Sequence, residues 1–501
     1  MVNVAATVWS NAERDPQRMA VRSGRGDLTY GELREASARV GGAAAAAGLR
    51  PGDRVVLIAP SIVEFPVLYL GLHAVGVSVI TMNTMATAAE IGYVLDDAEA
   101  SLVLAWHECD AAASAAAAER GTTFWRVEDG ARFDADPLPA AHDHAPDDTA
   151  IILYTSGTTG RPKGVELTAA NLIDTTDSFL SVLNLTAEDR FGTGLPLFHV
   201  YGQAVVMNTV LVTGASLSLL APFEPTAMLE MVRRDRLTVL AGVPTMWNAM
   251  LHAATDAFGP SDFEQLRLAT SGGASLPVEV MRAFRDRFGC TILEGYGLTE
   301  STGAATFNDI NRPQKAGTVG PALPGTAIEV RDPLGAVVGP DVVGEVFLKG
   351  PTIMKGYRNR PDATAADLQD GWLKTGDLGR LDAEGYLSIV DRAKDLIIRG
   401  GYNVYPREVE EVLYEHPDVV EVAVVGVPDA HFGEEVAAVV ALREGAELTG
   451  EELRSWAKVQ LSAYKVPRLY QFVTTLPKGA TGKILKREID RDAIRTAEVG
   501  A

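Results

Sequence analysis

The stretch Tyr154–Val165, YTSGTTGRPKGV, combines glycines at 157, 160 and 164 with the hydroxyls of Thr155, Ser156, Thr158 and Thr159 and one lysine, Lys163. Glycine removes the Cβ that keeps backbone N–H groups apart, so such a loop can aim several amides at one anion. The hydroxyls add neutral donors and Lys163 a mobile positive charge, and phosphate is the natural target. The Walker arrangement, in which Gly-Lys-Ser/Thr opens a helix, is absent. Lys163 follows Arg161 and Pro162, so no helix is expected to start at the lysine. The apolar run AIILY just upstream predicts a buried strand feeding the loop.

Further glycine-punctuated segments follow: TSGGASLP (270–277), EGYGLTESTG (294–303), WLKTGDLGRLDAEGYLSIVDRAKD (372–395), RGGYNVYP (399–406) and LPKGATGKILK (476–486). In this order and spacing they resemble the adenylate-forming superfamily of acyl-CoA synthetases, peptide-synthetase adenylation domains and luciferases. Fatty acyl-CoA synthetases are nearest in look. The resemblance runs from LTYGELREASARVGGAAAAAGLRPGDRVVL (28–57) to LPKGATGKILKREI (476–489).

The resemblance implies ATP, Mg²⁺ and coenzyme A as reactants and cofactor. Thr155, Ser156, Gly157, Thr158, Thr159, Gly160 and Lys163 would hold the β- and γ-phosphates. Gly273 and Ala274 would pass close to adenine and Tyr296 would stack on it, a thin slot with small residues on one side and a ring on the other. Thr299 matches the α-phosphate contact and Glu300 the Mg²⁺ ligand; one carboxylate suffices where phosphate supplies other oxygens. Asp377 and Arg392 match the ribose contacts, and Lys394 the pivot of the small domain. Lys483 corresponds to the lysine that steadies the attack of carboxylate on the α-phosphorus, where negative charge builds up. Gly400 and Gly401 correspond to the segment that swings in to meet the pantetheine arm.

The acid is harder to read. GLPLFHVYGQ (194–203) matches the segment lining the acyl pocket, with His199 as its gating ring. Amino-acid-activating relatives commonly carry aspartate there, and this segment has no acid. Malonate-activating relatives carry arginine just before the Tyr-Gly of the adenine motif, where this chain has Gly295. Small residues at Gly242, Gly272, Gly297, Gly303 and Ala304 suggest an open tunnel, and no aromatic box is evident. The expected substrate is therefore a medium- or long-chain fatty acid. An aryl acid, or loading of a carrier protein instead of free coenzyme A, stays open, as does a homodimer.

The elements that must position these residues read as α/β. VVLIA (55–59), a helical stretch to Gly76 and VSVITM (77–82) give strand, helix, strand; ASLVLA (100–105), ASLSLL (215–220) and LTVLAG (237–242) repeat the theme. The alanine-rich GGAAAAAG and DAAASAAAAER are expected to be solvent-facing helix. After about residue 390 the texture changes to a charged helix, a strand ending in a turn at Val427-Pro428-Asp429, and a second strand, EEVAAVVAL. This predicts a large N-terminal domain of layered sheets and helices in three subdomains (1–392), carrying the ATP and acyl sites. A small, mobile α+β C-terminal domain (393–501) would carry the catalytic lysine and the coenzyme A contacts.

Composition narrows the partners. The 501 residues are 47% hydrophobic and 22% charged, with a formal charge of −21, which argues against a nucleic-acid or anionic-membrane binder. Cys109 and Cys290 offer no disulfide framework. Glu13, Arg14, Asp15 and Arg18 interrupt any signal-peptide run, and Pro60, Glu64, Pro66 and His73 break the longest apolar region. A cytoplasmic protein without stable membrane insertion is the expectation.

Overall fold

A computed structural model describes residues 2–130, 133–155, 161–254 and 257–497. Its centre is a pair of sheets. In the seven-stranded one, Arg54–Ile58, Ser78–Thr81, Leu102–Trp106 and Thr123–Val127 run parallel, and Thr149–Thr155 extends them beside Ser78–Thr81. Lys163–Thr168 then turns back antiparallel and Gly356–Tyr357 closes the edge. In the eight-stranded sheet, Met19–Ser23, Ser216–Leu219, Arg190–Thr193, Val239–Gly242, Leu268–Ser271 and Ile292–Tyr296 are parallel neighbours, with short antiparallel strands at both edges. Strands such as Ser78–Thr81 and Val239–Gly242 are buried throughout, which is why they read as unbroken apolar runs rather than alternations.

The helix Glu64–Val75 is buried along its whole length, as its all-round apolar sequence demands. It lies close against Tyr30–Ala46, and a Cβ on Gly71 would sit 2.5 Å from Val40 Cβ. The alanine-rich helices differ from expectation. Ala113, Ala116 and Ala117 are buried, and a Cβ on Gly42 would run into the Asp136 carbonyl. These small residues serve close packing and not only solvent contact.

A third, antiparallel sheet of five strands includes Trp372–Leu381 and Leu387–Arg392. Beyond it the smaller C-terminal domain has cores of its own. Ile397, Val409, Val422, Val424 and Val440 fill one face of a second five-stranded sheet, and Ala423, Val425, Val439 and Ile494 the other. The alternation along 422–425 reflects helices on both faces. The turn expected at Val427-Pro428-Asp429 is not there: Val419–Asp429 stays extended, with Pro428 opposite Glu434 in the hairpin to Gly433–Leu442. No helix among the described residues is long and apolar enough to cross a membrane.

Candidate active site

The C-terminal ends of the two parallel sheets are tied together by Ser61 Oγ donating to the Leu195 carbonyl and Thr81 Oγ1 to the Phe198 carbonyl, and the segments leaving Thr193, Ser271 and Tyr296 carry residues singled out above, in keeping with the rule for open α/β sheets. Thr155 pairs directly with Lys163 across the antiparallel ladder, and Lys163 opens a strand, not a helix. Ser156, Gly157, Thr158, Thr159 and Gly160 lie outside the described residues.

Lys163 belongs to a small polar cluster. Its ammonium lies 3.4 Å from Asp367 Oδ2 and 4.2 Å from the centre of the Tyr357 ring. The Tyr357 hydroxyl is 3.1 Å from Glu300 Oε1 and 3.2 Å from Asp367 Oδ2. Glu300 follows Thr299 in a single 3₁₀ turn whose entry is fixed by Leu298 N–H donating to Ser301 Oγ. Burial raises the Glu300 carboxyl above its ordinary range, relieved in part by Tyr357 and the charge of Lys163. Two carboxylates and a phenol make an all-oxygen donor set, which suits Mg²⁺.

Asp377 and Arg392 face each other across the register of adjacent strands, with Arg392 Nε 3.3 Å from Asp377 Oδ1. Asp377 is only 4% exposed. Its other oxygen accepts a 2.6 Å hydrogen bond from the Tyr296 hydroxyl, and burial pushes that phenol well above its usual value. Gly297 lets the chain fold back beneath Tyr296, since a Cβ there would lie 2.3 Å from the Gly303 backbone. Gly273 has φ +80°, and a Cβ on neighbouring Gly272 would touch the Tyr201 ring at 3.4 Å.

Lys483 reaches this group from the C-terminal domain. Its loop is a tight hairpin in which Gly479 N–H donates to the Lys483 carbonyl and Leu485 N–H to that of Pro477, both short bonds of 2.9 and 2.8 Å. The Thr245 hydroxyl donates to the Gly482 carbonyl at 3.0 Å, so the hairpin docks on the first turn of the helix Pro244–Ala253. Gly482 has φ +78°, and a Cβ would stand 2.8 Å from Thr245 Oγ1. Burial lowers the Lys483 ammonium to about 8, helped by the positive charge of Arg392 and opposed by Asp377 and Asp395. His199 is lowered to about 4 by burial and by the charge of Lys483. Asn248 donating to the Val420 carbonyl (2.9 Å) and Val278 N–H to Glu411 (3.2 Å) hold the two domains in this arrangement.

Gly400 and Gly401 are not brought to this cluster. They form the exposed tip of the hairpin Ile397–Arg399/Tyr402–Val404, with φ +57° and +84°, and Gly400 N–H donates to the Phe432 carbonyl. Lys394 is exposed in the turn after Leu387–Arg392. Sequence reading passed over Tyr357 and Asp367, which no motif marks. It also passed over Glu294, a glutamate inside an apolar strand that is itself the signal of a special role. Glu294 accepts from Leu276 N–H at 2.9 Å, bracing the Gly272–Ala274 loop, and burial pushes it up to about 7.

Comparison with known proteins agrees over the whole chain. Residues 8–358 match the model of the AMP-binding enzyme family, and residues 408–483 that of the AMP-binding enzyme C-terminal domain. A feruloyl-CoA synthase of Amycolatopsis sp is 37% identical over 96% of this chain and 97% of its own. A long-chain-fatty-acid–CoA ligase of Bacillus subtilis (strain 168) is 35% identical over 96% and 92%. The crystal structure of ATP-bound MatB from Rhodopseudomonas palustris superimposes with a TM-score of 0.91 at 34% identity, covering 99% of each chain. The fold is that of an adenylate-forming enzyme, with a large N-terminal and a smaller C-terminal domain. The chain belongs to the AMP-binding enzyme family, and its reaction is the ATP-dependent, AMP-forming ligation of a carboxylic acid to coenzyme A.

Proposed function

We propose that the acid is an aromatic monocarboxylate. The supporting observation is a slit lined by the rings of Phe179, Phe191, Tyr201 and Phe307, with Val205 and Thr270. Phe179 and Phe307 meet edge to face at 5.4 Å, a geometry that a further ring can join. The slit encloses only about 20 Å³, room for a single water, so a substrate ring enters by displacing one of these side chains. No charged side chain lines it. The glycines expected to open an alkyl tunnel face filled space: a Cβ on Gly242 would meet Trp247 at 2.9 Å, and one on Gly303 would meet Val205 at 3.0 Å. Gly295 is closed in the same way, by the Phe307 ring at 2.3 Å. A medium- or long-chain fatty acid is the second reading, favoured by the aliphatic wall of Leu183, Leu185 and Val206.

In this reading the carboxylate oxygen attacks the α-phosphorus and the bond to pyrophosphate breaks. Lys483 sits where charge builds up, and Thr299 contacts the α-phosphate. Thr155 and Lys163 grip the outer phosphates, while Asp377 and Arg392 take the ribose hydroxyls. Each carboxylate oxygen has two lone pairs, so the bond from Tyr296 leaves Asp377 able to accept more. Tyr296 and the Gly273–Ala274 backbone enclose adenine, and His199 acts as the gating ring of the acyl site. Glu300 would hold Mg²⁺, which neutralises phosphate charge. Residues 393–501 then turn about Lys394, exchanging Lys483 for Gly400 and Gly401, and the coenzyme A thiolate displaces AMP.

A panel of benzoate- and cinnamate-type acids against octanoate through palmitate, read by coenzyme A-dependent pyrophosphate release, tests the substrate. Aromatic acids are expected to have the highest kcat/KM, and a clear preference for palmitate would overturn the assignment.

A further inference from the structure

At the N-terminal end of the strand Thr149–Thr155 lies a second group of side chains with chemistry of its own. Thr149–Thr155 spans seven residues, so its start is about 20 Å from Thr155. Just before that start, AHDHAPDD (141–148) brings His142, His144 and Asp148 together, with one potential ligand atom of each within 4.8 Å of the others. His144 Nδ1 lies 3.6 Å from Asp148 Oδ2. That is long for a hydrogen bond, but two ligands of a tetrahedral zinc ion, with bonds of about 2.0–2.1 Å, stand about 3.4 Å apart. The His142 and His144 rings meet at right angles, with centroids 5.1 Å apart.

The cluster is pre-organised. The His144 side chain is 2% exposed, with its Nδ1 turned toward Asp148. His142 N–H donates to the Ala74 carbonyl, and its own carbonyl accepts from the buried Asn3 amide at 2.8 Å. Asp148 closes a turn on Ala145, giving and receiving one hydrogen bond. His144 and Asp148 also line a polar cavity of about 370 Å³, where water can complete a coordination shell.

We propose that His142, His144 and Asp148 form a binding site for a zinc-class divalent cation, remote from ATP, that fastens the 141–148 segment to the start of the sheet. Two imidazoles and one carboxylate select Zn²⁺, Co²⁺ or Ni²⁺ over Mg²⁺, so the site does not compete for the metal expected at Glu300.

Chelator-stripped full-length protein titrated with Zn²⁺ in a calorimeter tests this. One equivalent is expected to bind, undisplaced by excess Mg²⁺, with at least about tenfold weaker binding in His142→Ala and in Asp148→Asn, since each loses one of three ligands. Both side chains lie at least partly at the surface, and unchanged pyrophosphate release verifies that the variants fold. Co²⁺ should give the visible spectrum of a nitrogen- and oxygen-ligated ion in the native protein and lose it in His142→Ala. Zinc should raise Tm of the native protein and not of the variants. Glu300→Gln should bind zinc as the native protein does. Absence of stoichiometric binding, or equal binding by a His142→Ala/Asp148→Asn double variant, would overturn the site.

Discussion

Two hairpins of the C-terminal domain bear glycines at positive φ, yet one is docked and the other free. The Pro477–Leu485 hairpin is pinned to Thr245 and places Lys483 among Asp377, Arg392 and His199. The Ile397–Arg399/Tyr402–Val404 hairpin shows Gly400 and Gly401 to solvent. One rigid domain cannot offer both tips to the same few ångströms, so this arrangement fits the proposed first half-reaction. Glycine has two uses here: Gly482 allows the close approach to Thr245, whereas Gly400 and Gly401, both at positive φ, supply the two-residue turn between Arg399 and Tyr402, with open space around Gly401.

Lys483→Ala would break the comparison most severely. Acyl-adenylate formation should fall by about 10²–10³, the usual loss for one group stabilising developing charge, while thioester formation from pre-made adenylate survives. Equal loss in both assays would refute the division of labour. Gly400→Val should do the reverse. A branched residue at φ +57°, with its Cβ 3.2 Å from the Phe432 ring, should slow coenzyme A-dependent turnover about tenfold, matching ~1–2 kcal/mol of strain, and let adenylate accumulate.

The pH profile sharpens the contrast further. With its ammonium lowered to about 8, Lys483 is charged below that pH and neutral above it. The kcat/KM for adenylation should therefore drop on the alkaline side of pH 8, about tenfold per unit, and Lys483→Arg should lack that limb while running slower throughout. Thioester formation from pre-made adenylate should not share the limb. The smallest effect is on stability. Glu294 is held up at about 7 against an ordinary 4.5, so the folded state keeps its proton longer than the unfolded one. Stability is then lost as pH rises from about 4.5 to 7, and Glu294→Gln should be more stable than the native chain by about 1–3 kcal/mol at pH 8 but equal near pH 4.5. Identical denaturation midpoints at both pH values would show that Glu294 is not strained by burial.

The layered α/β core was legible because strands buried on both faces have no choice but to be apolar, as VVLIA and LTVLAG are. The antiparallel return from Thr155 to Lys163 was legible in part, since Arg161-Pro162 before the lysine ruled out a helix start there. Tyr357 and Asp367 were not, since they come from a short strand and a helix end that only the tertiary fold sets beside Glu300. The glycines at 242, 297 and 303 show a limit of another kind. Sequence registers a missing side chain as vacancy, whereas the fold fills each gap with Trp247, the 303–304 backbone or Val205. The aromatic slit was hidden for a similar reason, its rings arriving from positions as distant as Phe179 and Phe307.

The Tyr357 hydroxyl has one proton and two carboxylates within reach, Glu300 and Asp367. Whichever oxygen receives it, the other is left facing a lone pair, with Lys163 above the ring as the nearest relief. The site before nucleotide arrives is thus electrostatically overdrawn on one side, and a divalent cation arriving with ATP removes a repulsion as well as adding an attraction. Metal and nucleotide should consequently bind with positive linkage, each more tightly in the presence of the other, and Tyr357→Phe should change that linkage without touching a phosphate.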